Sequence, residues 1–447
     1  MDFDVIMIGS GHSTWHAAVA LTQLGKHVAI VEKDLVGGTC TNYGCDAKIA
    51  LDGPFQLKEQ LARFQGNGVD NVPTINWPDL MNYKHQVIDQ FAPAMTGLFT
   101  KMGIQMTTGS AKLTDAHTVS VAGKDYTSEY IVLGTGQRPA TLNIPGDEYI
   151  HDSREFLDLS DMPERLVFIG AGIIAMEFAS MAASMGKDVH IVEFSDKALA
   201  PFNQDYVARL QKKLEQQGVH FHFGEAVSAV SKTATGLTVT TKSGLTIDTD
   251  YILGATGRVA NVEGLGLEAL GIEASRRGIK VNDHLQTAVP NIFASGDVID
   301  KPQAKLTPVA IFESNYIASV IAGQTAPISY PAIPSVVFTM PRLAQVGVSI
   351  DTAKAHPDDY RIQVLKYGEQ ATFEFKRALD AEATLVFDKD GYLVGASLYA
   401  DDGEETINLL TMLINGRYTA GMLQQQIFAF PSAASGIIDT LSILLPR

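Results

Sequence analysis

The sequence predicts an α/β fold with two dinucleotide-binding units and a C-terminal α+β unit. Three observations carry this. A strand, glycine turn, helix, strand and acid occur in that order twice. The glycine-to-acid spacing is the same both times. Each copy is followed downstream by a short apolar segment that runs into another glycine turn.

The first copy reads VIMIGSGHSTWHAAVALTQLGKHVAIVE. Asp4 to Ile8 is a short apolar run suited to a buried parallel strand. Gly9 and Gly11 make a tight turn, Thr14 to Leu24 has helical periodicity, and Gly25 ends it. Val28 to Val31 is a second strand, closed by Glu32, which lies 21 residues past Gly11. Glycines let the backbone approach a pyrophosphate, and the helix N-terminus offers partial positive charge. An acid at this spacing accepts hydrogen bonds from ribose hydroxyls. Thr14 stands at the third glycine position, so the fingerprint is incomplete.

The second copy reads LVFIGAGIIAMEFASMAASMGKDVHIVE. Gly170, Gly172 and Ala175 form the turn, and Glu193 lies 21 residues past Gly172. IVLGTGQRP, with Thr135 and Gly136, and ILGATGR, with Gly257 and Arg258, read as matching exits. The chain therefore looks built for two dinucleotides, and flavin plus nicotinamide is the natural redox pair. A 2′-phosphate needs a cation, yet a carboxylate closes the second unit and Lys197 is four residues on. NADH is expected over NADPH. The methionines of MEFASMAASM fall at helical spacing and read as core.

With 46% hydrophobic and 19% charged residues, the composition is that of a globular protein. Its 34 basic and 50 acidic residues give a net charge of −16, which argues against nucleic acid or an anionic membrane as partner. No apolar run is long enough to span a bilayer, and the N-terminus lacks a basic leader. A cytoplasmic enzyme acting on a small molecule is the expectation.

Only two cysteines occur, Cys40 and Cys45, in the stretch GGTCTNYGC. Two thiols do not make a zinc site, and a reducing compartment disfavours a structural disulfide. A redox-active pair is the better reading. His12 and His16 stand four apart on the first helix, where they could serve as a metal pair or a surrogate base. We read His12 as capping the glycine turn and His16 as packing or solvated. His220 and His222 alternate in VHFHFG as one solvated strand face. No metal site is expected.

These motifs resemble the class I pyridine nucleotide-disulfide oxidoreductases, the family of glutathione reductase, dihydrolipoamide dehydrogenase and mercuric reductase. GGTCTNYGC resembles their redox disulfide. IFASGDV resembles their second FAD segment, LTPVAIFESNYIA the helix after it, and PSVVFTMPRLAQVGVS the start of their dimerisation domain. The resemblance covers essentially the whole chain. It implies two Rossmann-like domains for FAD and NAD plus an α+β dimerisation domain in a homodimer. The implied division is an FAD domain at 1–145, an NAD(P) domain at 146–255, an FAD return segment at 256–330 and an interface domain at 331–447. YPAIP, at 330–334, marks the last boundary. Beyond it, TLVFDKDGYLVGASLYA carries a hairpin signal and DGEETINLLTMLINGRY a helical one.

The resemblance also implies roles. Cys45 is the flavin-side thiol, whose thiolate forms the charge-transfer complex, and Cys40 the interchange thiol. Their spacing is expected to close the disulfide across one turn at a helix start, where a thiol's pKa falls. Glu177 matches the glutamate near the flavin, and Lys48, in CDAKIAL, its lysine partner. Ile173 stands where some members carry a tyrosine lid. FAD contacts are implied for Gly9, Gly11, Ser13, Thr14, Glu32 and Lys33, for Gly38, Thr39 and Lys48, and for Thr135 and Gly136. Gly257 and Arg258, Gly296 and Asp297, and Leu306, Thr307 and Ala310 complete that set. Gly170, Gly172, Ile173, Glu177 and Glu193 are implied for the nicotinamide cofactor.

One expected element is missing. The family's disulfide reductases carry a C-terminal His-Pro, with a glutamate four residues after the proline, supplied by the partner subunit. Here the segment is IFAFPSAASGI, with Phe430 at the histidine position and Ser435 at the glutamate position. The last histidine is His356. A positioned base is worth about 10²–10⁴-fold. The family's carboxylating member, 2-ketopropyl-coenzyme M oxidoreductase/carboxylase, also has phenylalanine here but keeps a histidine at the second position. Mercuric reductase uses a further C-terminal cysteine pair, absent here. The reading is an FAD enzyme passing electrons from NADH to the dithiol and on to an unidentified acceptor. A conventional disulfide reductase or lipoamide dehydrogenase is the first alternative. An NADH oxidase, diaphorase or redox sensor is the second.

Overall fold

The computed structural model describes residues 1–234 and 236–447. Four parallel strands form the centre of the first sheet, in the order Gln105–Thr108, Val28–Glu32, Phe3–Ile8, Lys124–Leu133. Ile292–Ala294, far along the chain, adds to Lys124–Leu133 as a fifth parallel strand. The runs are apolar because helices and a meander cover both faces, so alternation is lost. Val5, Ile6 and Met7 have no exposed surface.

The second unit repeats this plan. Its parallel order is Val219–Phe223, Asp188–Glu193, Arg165–Ile169, Tyr251–Gly254. Each unit also carries an antiparallel meander, before Lys124–Leu133 in the first and before Tyr251–Gly254 in the second. In the first it is Ala111–Leu113 and Thr118–Val121, and in the second Val227–Thr233, Gly236–Thr241 and Thr246–Thr249. Met176 and Met181, on the helix Ile173–Ser184, are fully buried, as their spacing suggested.

The two exit motifs meet. Gln137–Pro139 pairs antiparallel with Arg258–Ala260, and the Arg258 guanidinium donates to the Gln137 carbonyl at 2.8 Å. The second unit therefore leaves and re-enters the first through neighbouring strands.

The C-terminal unit is a five-stranded antiparallel sheet: Ser335–Val337, Arg342–Gly347, Leu393–Ala400, Glu382–Asp388, Tyr360–Leu365. The hairpin expected from FDKDGY closes at Gly391, whose φ of +86° suits glycine. Helices Gly403–Asn415 and Ala433–Leu444 bury Ile407, Leu410, Ile437 and Leu441 in its core. Among the described residues, no helix is long and apolar enough to cross a membrane.

Two sequence readings need correction. The cysteines are not separated by one helical turn. Cys40 lies in a short helix, Gly38–Tyr43, and Cys45 opens a second, Cys45–Arg63. Gly44 makes the break, and a Cβ there would meet the Thr39 carbonyl at 3.0 Å. Nor does HFH form one solvated face. His220 is exposed, but His222 is half-buried, with Nε2 2.9 Å from His190 Nδ1.

Candidate functional site

The two glycine turns are built alike. Gly9 has φ +102° and Gly170 φ +103°, and a Cβ at either would strike a carbonyl of the exit strand. That carbonyl is Gly134 O, at 2.4 Å, in the first unit and Ala255 O, at 2.6 Å, in the second. Gly11 and Gly172 instead face open space, with nothing within 4 Å of an added Cβ. That leaves each turn open at a helix N-terminus, the geometry that a pyrophosphate requires.

The acids are equally matched. Glu32 accepts from the Ser10 amide at 2.9 Å and hydroxyl at 2.7 Å, and its other oxygen from the Lys33 and Asp34 amides. Glu193 accepts from the Ala171 amide at 2.7 Å, and from the Ser195 amide and hydroxyl at 2.8 Å. Each carboxylate thus ties its turn to the loop after its strand, a positioning role that spacing alone did not reveal.

Thr14 explains the incomplete fingerprint. Its hydroxyl reaches the carbonyls of Gly9 at 2.7 Å and Gly11 at 3.0 Å, bracing the turn that a glycine would leave free. The turn is thus held by Thr14, not by His12 as the sequence suggested. His12 Nδ1 lies 3.1 Å from His16 Nε2, and His16 stacks on Trp15 at 3.5 Å. Burial, with the positive form of His12 adding to it, lowers the His16 pKa to about 4, and burial lowers that of His12 as well.

Segments from across the chain close over this turn. Ser295 Oγ donates to the Ser13 carbonyl at 2.7 Å, and Gly296 packs so tightly on Ser13 that a Cβ would sit 2.5 Å away. Gly38, at φ +68°, comes against Gly11. Thr135 is held by reciprocal bonds with Asn261, at 2.7 and 2.8 Å, and the Gly136 carbonyl accepts from the Asn261 amide. The Asp297 carbonyl accepts from Lys305 at 2.8 Å.

The dithiol lies where these segments meet. Cys45 Sγ is 3.5 Å from the hydroxyl of Thr307, the first residue of the helix Thr307–Ile321, which Leu306 precedes and which carries Ala310. Both cysteines are free thiols. The hydrogen bond with Cys40, then Thr307 and the Lys48 charge, lower the Cys45 pKa to about 6 against the opposing effect of burial. The same bond to Cys45, reinforced by burial, raises that of Cys40. The proton therefore sits on Cys40 and the negative charge on Cys45.

Lys48 is one turn below Cys45. Its ammonium bonds both Glu177 oxygens, at 2.9 and 3.0 Å, and lies 4.0 Å from the Phe338 ring centroid. Glu177 is 2% exposed and also accepts from the Phe338 amide at 2.8 Å. One turn further, buried Asp52 pairs with buried Arg342, through Oδ1 to Nη1 at 3.2 Å and a second close contact. Phe338, Asp52 and Arg342 were missed in the sequence. For Asp52 the only signal was its place four residues after Lys48.

Phe430 is 83% exposed. Ser435 is buried, and its hydroxyl exchanges hydrogen bonds with Ser432 in a capping box that starts the helix Ala433–Leu444. Its hydrogen bonds among the described residues all lie in that cap, so within one chain it has a structural task.

Comparison with known proteins decides the family. Residues 3–314 match the family model described as pyridine nucleotide-disulphide oxidoreductase, and residues 333–440 match that family's dimerisation domain. The chain belongs to this family. A dihydrolipoyl dehydrogenase of Bacillus subtilis (strain 168) is 32% identical, covering 100% of this chain and 97% of the relative. The HOCl-induced flavoprotein disulfide reductase RclA from Escherichia coli superposes with a TM-score of 0.89 at 25% identity, over 99% of this chain and 100% of the other. Its Cu(II) complex gives 0.88 at 25% identity, over 98% and 99%. As a pyridine nucleotide-disulphide oxidoreductase, the protein is a flavin-dependent enzyme with the expected α/β architecture and a dimerisation domain.

Proposed function

We propose that this enzyme takes electrons from NADH and delivers them through FAD and the Cys40–Cys45 dithiol to an acceptor that needs no protonated leaving thiol. What supports this is the polarisation that the surroundings impose on the dithiol, lowering Cys45 and raising Cys40, in a chain with Phe430 where a base is expected. Bound FAD supplies the two-electron relay between nicotinamide and disulfide. Gly9, Gly11, Ser13, Thr14, Glu32, Lys33, Gly38, Thr39, Thr135, Gly136, Gly296, Asp297, Leu306, Thr307 and Ala310 are the residues we assign to hold it. Gly257 and Arg258 belong to the same wall.

The second turn, at Gly170, Gly172 and Ile173, takes the nicotinamide cofactor. Glu193 supports NADH, because its buried carboxylate would repel a 2′-phosphate. The Lys48–Glu177 pair fixes an ammonium beside the thiolate, and a nearby cation favours the charged form. The proton on Cys40 has no histidine at position 430 to take it, so exchange with a disulfide substrate loses about 10²–10⁴-fold. The sheet-by-sheet organisation supports boundaries near 145, 255 and 330. Exposed Ile427, Phe430 and Ile443, on a dimerisation domain, support a homodimer.

Likeness to RclA in its Cu(II) complex favours a specific acceptor. Two Cu(II) ions would each take one electron from the Cys40 thiol and Cys45 thiolate, giving two Cu(I), the disulfide and one proton released from Cys40 to solvent. Thiolates select soft Cu(I).

Anaerobic NADH titration of the FAD-loaded protein tests the proposal. A long-wavelength thiolate-to-flavin band at two electrons per chain is expected. Bleaching without that band would remove the dithiol from the path and favour the oxidase or sensor reading.

A further inference from the structure

The neighbouring parallel strands Asp188–Glu193 and Val219–Phe223 place His190 directly opposite His220. Side chains alternate along a strand, so Asp188, His190, His220 and His222 share one face. Val219–Phe223 is the sheet's outer strand, so this face opens at an edge. Asp188 begins its strand and Glu193 ends it, which puts Asp188 about 16 Å and His190 about 10 Å along the strand from the acid of the dinucleotide turn, at ~3.3 Å per residue.

One oxygen faces two imidazoles. Asp188 Oδ1 is 3.3 Å from His190 Nε2 and 3.8 Å from His220 Nε2, and one donor atom from each residue lies within 4.8 Å of the others. Donors about 2.0–2.2 Å from a tetrahedral ion stand about 3.3–3.5 Å apart, so two edges of that figure are nearly formed. Among the described residues, this is the only such group of three.

His222 supplies a second, independent observation. Its Nε2 is 2.9 Å from His190 Nδ1, on the side of the ring away from Asp188. The two rings are coplanar within 2°. If His190 Nδ1–H donates to His222, the Nε2 lone pair is left to point at Asp188 and His220. Metal-ligating histidines are oriented in this way, by a hydrogen bond from the other ring nitrogen.

We propose that Asp188, His190 and His220 bind a divalent transition-metal ion of the zinc or copper class, with His222 as the positioning residue. Two imidazoles and a carboxylate suit such ions, and three protein ligands leave one position for water or an external donor. The ion would clip the outer strand to its neighbour. The inference stands apart from the acceptor chemistry at the dithiol.

The test uses the full FAD-loaded chain carrying Cys40→Ser and Cys45→Ser, stripped of metal and titrated with zinc sulfate by calorimetry. One zinc per chain is expected. His220→Gln, at an exposed position, should weaken binding roughly 100-fold, and His190→Gln likewise, with the visible flavin spectrum unchanged. His222→Phe should weaken it about 10–100-fold. The His222 loss should come with a changed cobalt(II) visible spectrum, which a merely structural residue would leave alone. No zinc bound by the thiol-free protein, or undiminished binding in His220→Gln, would overturn the proposal. So would binding that disappears on His12→Gln instead.

Discussion

Lys48 bonds both carboxylate oxygens of Glu177, at 2.9 and 3.0 Å, from one turn below Cys45. The contact joins the helix that carries the thiolate to the helix that opens the second nucleotide turn. Their carboxylate and ammonium are 3% and 15% exposed as side chains, so neither tolerates loss of the other. Lys48→Met is expected to destabilise the fold by about 3–5 kcal/mol, the cost of a buried unpaired charge. It should also slow flavin bleaching by NADH. Melting temperature and stopped-flow traces measure the two, and the double change Lys48→Met/Glu177→Leu should recover stability but not rate.

The Cys45 thiolate gives a pH prediction. Its pKa is depressed to about 6, so the charged form persists above that value and is lost as pH falls through it. The charge-transfer band of the two-electron-reduced enzyme should therefore keep full height at pH 7–8 and titrate away near pH 6. A free thiol would titrate near ~8.5. Lys48→Met should move the midpoint up, because the Lys48 charge contributes to the depression.

Phe430 can be reverted. Phe430→His together with Ser435→Glu should raise turnover of lipoamide or glutathione disulfide by about 10²-fold or more, within the range of a positioned base. A glutamate at 435 can still cap the helix from the third helical position, so folding should survive. Steady-state assays with each disulfide give the answer, and unchanged turnover would rule out the missing base as the cause of poor exchange.

Glu193 sets the nicotinamide preference in this reading. Wild-type kcat/KM should favour NADH over NADPH. Glu193→Gln should narrow the ratio while retaining the amide contacts only in part, because a neutral carboxamide accepts from Ala171 or Ser195 less strongly. Comparing both cofactors in one flavin-reduction assay checks the ratio.

Arg342 pairs with Asp52 in a buried contact between the dithiol helix and the C-terminal sheet. Arg342→Met should cost about 3–5 kcal/mol, while Arg342→Met with Asp52→Leu should cost much less. Denaturant unfolding of the two variants separates charge pairing from packing.

Much of this was legible before any coordinates. The two turns, their acids and the matching exits all rest on local spacing, and local geometry enforces them. Lys48 and Glu177 could be matched only through resemblance, since 129 residues separate them. Phe338 and Arg342 left no signal, because their roles arise when the C-terminal sheet packs on the dithiol helix. Thr14 looked like a defect until its hydroxyl was seen on two carbonyls of the turn. His190 and His220 were separated by strand register, which parallel pairing sets and which no short window contains.

The small ribbon formed by Gln137–Pro139 and Arg258–Ala260 has a consequence for how such an enzyme can be rebuilt. Through its two strands the chain leaves the first unit for the second and returns, and Pro139 stands beside Arg258 in register. Both seams of the second unit therefore lie side by side on one hinge. A nucleotide unit of different cofactor preference could be spliced in between them as a cassette, with neither the dithiol nor the C-terminal sheet cut.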